Sequence, residues 1–102
     1  MTSTLLSEAF IKNLRKTAKV LDSLNHVLRK RILDEIIDYG ALNVEALSSI
    51  LNVRSSLISQ HVEILRKEDI LDLQLEGKQL FYAVNHERLA KINYVIRGLA
   101  ED

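Results

Sequence analysis

Between residues 43 and 62 the apolar spacing supports two short helices separated by a turn of only two residues, and this constrains the chain more than any other feature in it. Asn43 is a natural N-cap, Glu45 suits the first turn of a helix, and Leu47, Ile50 and Leu51 supply a packing side. Asn52 and Val53 form the turn, and the next helix spans about residues 55–67. At about 100° per residue, Ile58, Val62 and Leu65 fall on one side of that helix. Ser56, Ser59, Gln60, Glu63 and Lys67 fall on the other, with Ser55 at the N-terminal edge. A helix anchored on one side and carrying short polar groups on the other is the reading helix of a helix-turn-helix. A solvated surface helix shows the same polar side. The preceding short helix, the tight turn and the hairpin that follows favour the first reading.

The flanking segments complete a small fold. Residues 4–23 read as a helix, with Leu6, Phe10, Leu14, Thr17 and Leu21 on one stripe and Leu5 and Ile11 widening it. A second helix is expected over residues 25–39, with Asn25 as N-cap. Val27, Leu28, Ile32, Leu33, Ile36 and Ile37 form its expected buried side, and Gly40 stops it. After the reading helix, residues 70–75 alternate apolar and polar, residues 76–79 form a turn, and residues 80–84 are strand-prone. A last helix over about residues 86–100 places Leu89, Ile92, Ile96 and Leu99 on one face. The expected order is α-α-α-α-β-β-α, a mainly helical winged helix-turn-helix with terminal helices at its ends. A length of 102 residues suits one domain over residues 1–102.

Composition narrows the function classes. Apolar residues make up 47% and charged residues 27%, as in an ordinary globular chain. No apolar run approaches the ~20 residues of a membrane span. The first residues lack the basic-then-apolar pattern of a secretory signal, so a cytoplasmic location is the expectation. With no cysteine there is no disulfide, thiolate metal site or thiol switch. Net charge is zero, but residues 12–31 hold seven basic residues against Asp22 alone, a local +6 that the rest of the chain balances with −6. Phosphate contacts act within a Debye length of about 8–10 Å, so distribution outweighs the total.

Serine hydroxyls serve either base type, and a glutamine amide bridges adenine N6 and N7. Ser55, Ser56, Ser59 and Gln60 are therefore the candidate base contacts. Arg54, Lys67, Lys78 and Gln79 are candidates for the phosphate backbone, which positions without specifying. Glu63 on the same face repels phosphates unless it lies beyond the close approach. No catalytic constellation is present: His86-Glu87-Arg88-Leu89-Ala90 opens like a zinc-protease helix but lacks its second histidine. Ser59 and His61, two residues apart on a helix, point to different sides. His61 and His26 read as packed structural residues, and no ligand spacing points to a metal or other cofactor. An enzyme is not expected.

Three segments resemble the ArsR-type family of bacterial metal-responsive repressors. Residues 24–33, with His26, Arg29, Ile32 and Leu33, are similar to that family's L-x-H-P-x-R-x-x-I-L helix. Residues 56–66, with Ser56, Ile58, Ser59, His61 and Leu65, resemble its S-x-[VI]-S-x-H-L-x-x-L helix, and Glu76, Gly77, Lys78 and Tyr82 resemble its E-G-[KR]-x-x-x-Y wing. The resemblance covers about residues 22–85. Val27 replaces the usual proline, Arg54 a capping serine, and Asp69 a helix-ending glycine. The family's cysteine-bearing third-helix metal box is here Asn43-Val44-Glu45-Ala46-Leu47. Its last-helix metal positions fall on His86, Arg88, Leu99 and Asp102, of which arginine and leucine are no ligands.

The resemblance implies a homodimer formed by the first and last helices, binding inverted-repeat double-stranded DNA and repressing transcription. Leu6, Phe10, Leu14, Leu21, Leu89, Ile92, Ile96 and Leu99 are its expected dimer face, and the usual metal sensing is not carried over. The sequence names no effector. The alternative is a winged-helix protein–protein interaction module without specific DNA binding, which zero net charge and Glu63 favour.

Overall fold

The computed structural model describes residues 8–100, the side chains of Val95, Ile96, Leu99 and Ala100 excepted. Five helices and one hairpin follow in the expected order: α1 (Glu8–Leu24), α2 (Val27–Tyr39), α3 (Val44–Leu51), α4 (Ser55–Lys67), β1 (Leu71–Glu76), β2 (Gln79–Val84) and α5 (His86–Ala100). One core joins them, built on Val20, Ile32, Ile36, Leu47, Ile58, Val62, Leu65 and Ile70, all fully buried.

Caps and turns set the angles between these elements. Asn43 caps α3, its Oδ1 accepting from the Ala46 N–H at 2.8 Å. Asn52 ends α3 in the left-handed region at φ 56°, a conformation its short amide tolerates. The Asn52 and Val53 N–H groups both return to the Ser48 carbonyl, so the chain reverses within one turn and α4 begins at once. Gly40 closes α2 at φ 92°, with its N–H on the Ile36 carbonyl at 2.7 Å. The hairpin turns on Gly77 (φ 63°), flanked by the Glu76–Gln79 pair. Glycine at the first central position with positive φ suits the strand twist.

Several expected placements shift. The α2 cap is His26, not Asn25: the His26 Nδ1 accepts from the Leu28 N–H at 3.2 Å. Val27 and Ile37 lie outside the α2 core side, 73% and 54% exposed, because Ile32, Leu33 and Ile36 already fill that stripe. Ile50 of α3 is likewise exposed, beside buried Leu47 and Leu51. On α1 Thr17 of the expected stripe is buried, in line with Val20 and Ser23, while Leu14 is half-buried and Phe10 and Leu21 are exposed. The Ser23 hydroxyl is satisfied by donating to the Lys19 carbonyl at 3.0 Å, which makes its burial tolerable. Leu5 and Leu6, and the side chains of Ile96 and Leu99, lie outside the described residues.

Asp69, at φ 60°, turns the chain from α4 into β1, with the Ile70 N–H on the Leu65 carbonyl at 2.9 Å. The left-handed region is strained for a residue with a Cβ and free for glycine. Asp69→Gly is expected to stabilise the chain by about 0.5 kcal/mol, or a few degrees in Tm by thermal unfolding. A fall in Tm would show that the Asp69 carboxylate contributes more than the backbone strain costs.

Candidate nucleic-acid interface

The start of α4, the start of α3 and the tip of the hairpin border one open groove of about 580 Å³. Five of the candidate residues meet there: Ser55, Ser56 and Ser59 from α4, with Lys78 and Gln79 from the hairpin. No side-chain hydrogen bond within the described residues engages the three hydroxyls, so each can meet an outside partner. Gln60 and Arg54 are exposed beside the groove without lining it. Arg54 is the N-cap of α4 and offers no side-chain cap, so the first N–H groups of that helix have no side-chain acceptor. Lys67 stands apart, at the far end of α4, about 18 Å from Ser55 at 1.5 Å per residue. It lines a different cleft, with Lys16 and Lys19 of α1 and Arg88 of α5.

The hairpin is fixed to this groove by more than its own ladder. Leu42 and Tyr82 exchange backbone hydrogen bonds at 3.1 and 2.8 Å, pairing β2 with the segment just before α3. The Asn43 Nδ2 donates to the Gln79 Oε1 at 3.4 Å, so the residue that caps α3 also holds the wing tip. Sequence reasoning assigned Asn43 only its capping role and missed Glu45, Leu80 and Tyr82 as groove walls. The register Leu75↔Leu80 and Leu73↔Tyr82 puts those side chains on one strand face, a signal that alternation carried.

Glu63 does not present a bare carboxylate. Arg66, one turn later, donates its Nε to both Glu63 oxygens at 2.9 and 3.0 Å, and its guanidinium also closes a bridge to Glu63 Oε1. The Arg66 hydrogen bonds hold the Glu63 carboxyl below its ordinary range, outweighing the opposing effect of desolvation, and the Arg66 and Lys67 charges add to the lowering. The pair is neutral in sum, which removes the repulsion expected from this position.

Behind α4, His61 is buried against α2. Arg29 donates its Nε to the His61 Nδ1 at 3.1 Å and its Nη1 to the Ser23 carbonyl at 2.9 Å, linking α1, α2 and α4. The His26 ring lies 4.6 Å from the His61 ring, centroid to centroid. Burial, then the neighbouring His26 and Arg29, push the His61 imidazole below its ordinary value of about 6.5. The folded state thus favours neutral His61, and its contribution is complete above that ordinary value. Stability is lost as pH falls below about 6.5 toward the lowered value. Urea unfolding at pH 7.5 and 5.5 is expected to show a smaller fall for His61→Gln than for the unsubstituted chain. An equal fall in both would move the effect elsewhere.

Among the described residues no three His, Asp or Glu side chains come together as a donor set. Arg88, at one of the two described last-helix positions compared above, is a cation and repels a metal ion.

No family model matches the chain. The transcriptional repressor PagR of Bacillus anthracis is 29% identical over 80 residues, which are 78% of this chain and 80% of PagR. Its crystal structure superposes with a TM-score of 0.70 at 27% identity, covering 83% of this chain and 98% of that one. The transcriptional activator HlyU of Vibrio cholerae is 31% identical over 74 residues, 72% of this chain and 68% of HlyU. The chain belongs to the ArsR-type family of winged helix-turn-helix transcriptional regulators. HlyU's solved structure shares 30% identity with this ArsR-type chain at a TM-score of 0.68, covering 88% and 98%. An ArsR-like regulator from Rhodococcus sp. RHA1 has the same fold at a TM-score of 0.80 and 19% identity, over 87% and 83%. Membership makes this chain a DNA-binding regulator, and the interaction-module alternative is not favoured. No described helix is long and apolar enough to cross a membrane.

Proposed function

We propose that this regulator acts as a homodimeric repressor that lays α4 in the major groove of an inverted-repeat operator, with the hairpin on the flanking backbone. The observation that carries this is the shared groove: three unengaged hydroxyls on α4 lie beside Lys78 and Gln79 of the wing, on one face of the molecule. Ser55, Ser56, Ser59 and Gln60 read base edges, while Arg54, Lys78 and Gln79 hold phosphates. Lys67, at the opposite end of α4, takes no part. PagR and the biofilm growth-associated repressor of Agrobacterium fabrum support repression by their names, while HlyU is named an activator.

The dimer uses the side of α1 that the protomer core leaves uncovered. Leu21 is 41% exposed, Phe10 is also exposed, and Leu14 is half-buried. Ile92 of α5, expected on the same face, is instead 6% exposed within the protomer's own core, and Leu89 packs against that core. They act by positioning α5 and offer a partner little surface. The winged helix-turn-helix domain of Mb0332 from Mycobacterium bovis, which shares this fold at a TM-score of 0.76 and 22% identity over 93% of this chain and 87% of that one, is homodimeric.

Selection of bound sequences from a random duplex pool, followed by salt titration of the best, tests the reading. Arg54 and Lys78 from two protomers neutralise four phosphates, so log Kobs is expected to fall with log[salt] at a slope of about −4. Affinity that does not weaken as salt rises overturns the backbone contacts, and selection of no common half-site overturns the base contacts.

A further inference from the structure

A second charged cleft lies away from the groove, where α1, the last residues of α4 and the first turn of α5 meet. It has a volume of about 380 Å³ and is lined by Lys16, Lys19, Lys67, Arg88, Glu68 and Asp69. Four cations stand against two carboxylates. None of these cations is within ion-pair distance of an acid among the described residues. Arg88 is the unusual member: its Nε is buried with no hydrogen-bond partner. An orphaned guanidinium N–H among cations that outnumber the nearby carboxylates costs stability unless something bonds to it. An adjoining groove shares Lys16 and Arg88 and continues past Thr17 to Lys91 and the exposed Tyr94.

We propose that this cleft binds a small multivalent oxyanion, a phosphate ester or polycarboxylate, with Arg88 as its anchor and Lys16, Lys19 and Lys67 around it. A guanidinium takes two oxygens of a carboxylate or phosphate side by side, a geometry that ammonium groups then support as point charges. The Tyr94 ring and the adjoining groove accept the organic body of such a ligand. Glu68 and Asp69 exclude weakly charged anions, since only a multivalent one recovers enough attraction from the four cations. DNA phosphate is the poorer occupant, because the cleft lies at the end of α4 opposite its reading end. The proposed dimer face is not in the way: on α1, Lys16 lies about 160° around the axis from Leu14 and Lys19 about 160° from Leu21, and each lies about 140° from the other leucine.

The test is calorimetric titration of the whole chain, without DNA, at low ionic strength, so its outcome does not depend on the DNA-binding reading. Pyrophosphate and citrate are the probes, one for each chemistry. At least one is expected to bind with Kd below about 1 mM. Arg88→Gln is expected to weaken it about tenfold or more through loss of a charge-assisted hydrogen bond. Lys16→Gln, on a different helix, is expected to weaken it several-fold and serves where Arg88→Gln does not fold. Lys30→Gln, outside the cleft, is expected to change nothing. Absence of binding by both probes overturns the proposal, as does equal weakening by Lys30→Gln, which marks diffuse attraction. A DNA salt slope reduced by about two per protomer in the Lys16→Gln, Lys19→Gln double variant also overturns it, because the cleft then holds DNA backbone.

Discussion

Ser59→Glu is expected to lower affinity for a selected duplex by at least about 100-fold while leaving the helical circular dichroism unchanged. Ser59 is exposed on α4, lines the groove between that helix and the wing, and has no side-chain partner in the described residues. Glutamate there removes a hydroxyl donor and adds a negative charge facing phosphates. A lost base contact costs about 1–3 kcal/mol, and a dimer carries the change twice. At about 1.4 kcal/mol per factor of ten, the lower bound for the lost contacts is roughly 30-fold, and repulsion between the added carboxylates and the phosphates carries the total past about 100-fold. Ser59→Ala, which removes the hydroxyl without adding charge, is expected to cost much less. Electrophoretic mobility or fluorescence anisotropy reads both. If Ser59→Glu binds within threefold of the unsubstituted chain, α4 does not enter the groove.

The second large effect is on stability. Ile58→Ala is expected to destabilise the fold by about 3 kcal/mol, because a fully buried aliphatic side chain is replaced by a cavity. For a chain of this size that is a fall in Tm of about 12–20 °C. Ile58 anchors the reading helix: its N–H bonds the Arg54 carbonyl at 3.0 Å at the start of α4, and its side chain sits in the core with Val62 and Leu65. Ile37→Ala is the control, since Ile37 is more than half exposed on α2. It is expected to stay within about 0.5 kcal/mol. Equal losses from the two substitutions would contradict the core described above.

That contrast shows what the sequence can disclose. Ile58 and Ile37 both fit an apolar helical stripe, and periodicity cannot rank them. What separates them is the number of neighbouring elements that reach each side of a helix, which is a tertiary property. The same reasoning explains α1, where a serine is buried and leucines are not: the Ser23 hydroxyl has a backbone acceptor and its carbonyl receives Arg29, so burial carries little penalty. Local chemistry was more readable. The Asn43 cap and the Gly77 turn follow from local residue chemistry, and the left-handed Asp69 stands where the family resemblance puts a helix-ending glycine; the structure has each of them.

The groove was legible in part for the same reason. Ser55, Ser56 and Ser59 share one side of a single helix, which 100° spacing reveals. Lys78 and Gln79 join them only because Leu42 pairs with Tyr82 and brings the hairpin alongside α3, a long-range bridge with no local signature. Glu63 shows the reverse limit. Its charge was visible in the sequence, and its neutralisation by Arg66 depended on a rotamer that spacing permits but does not require.

The bridge from Leu42 to Tyr82, with the Asn43 amide on Gln79, has a mechanical consequence. In the proposed operator complex, hairpin and reading helix would travel as one stiff jaw, so the interval along the duplex between what each touches would not be adjustable within a subunit. On that reading, any tolerance toward operators with longer or shorter centres would have to come from how the two subunits tilt against each other.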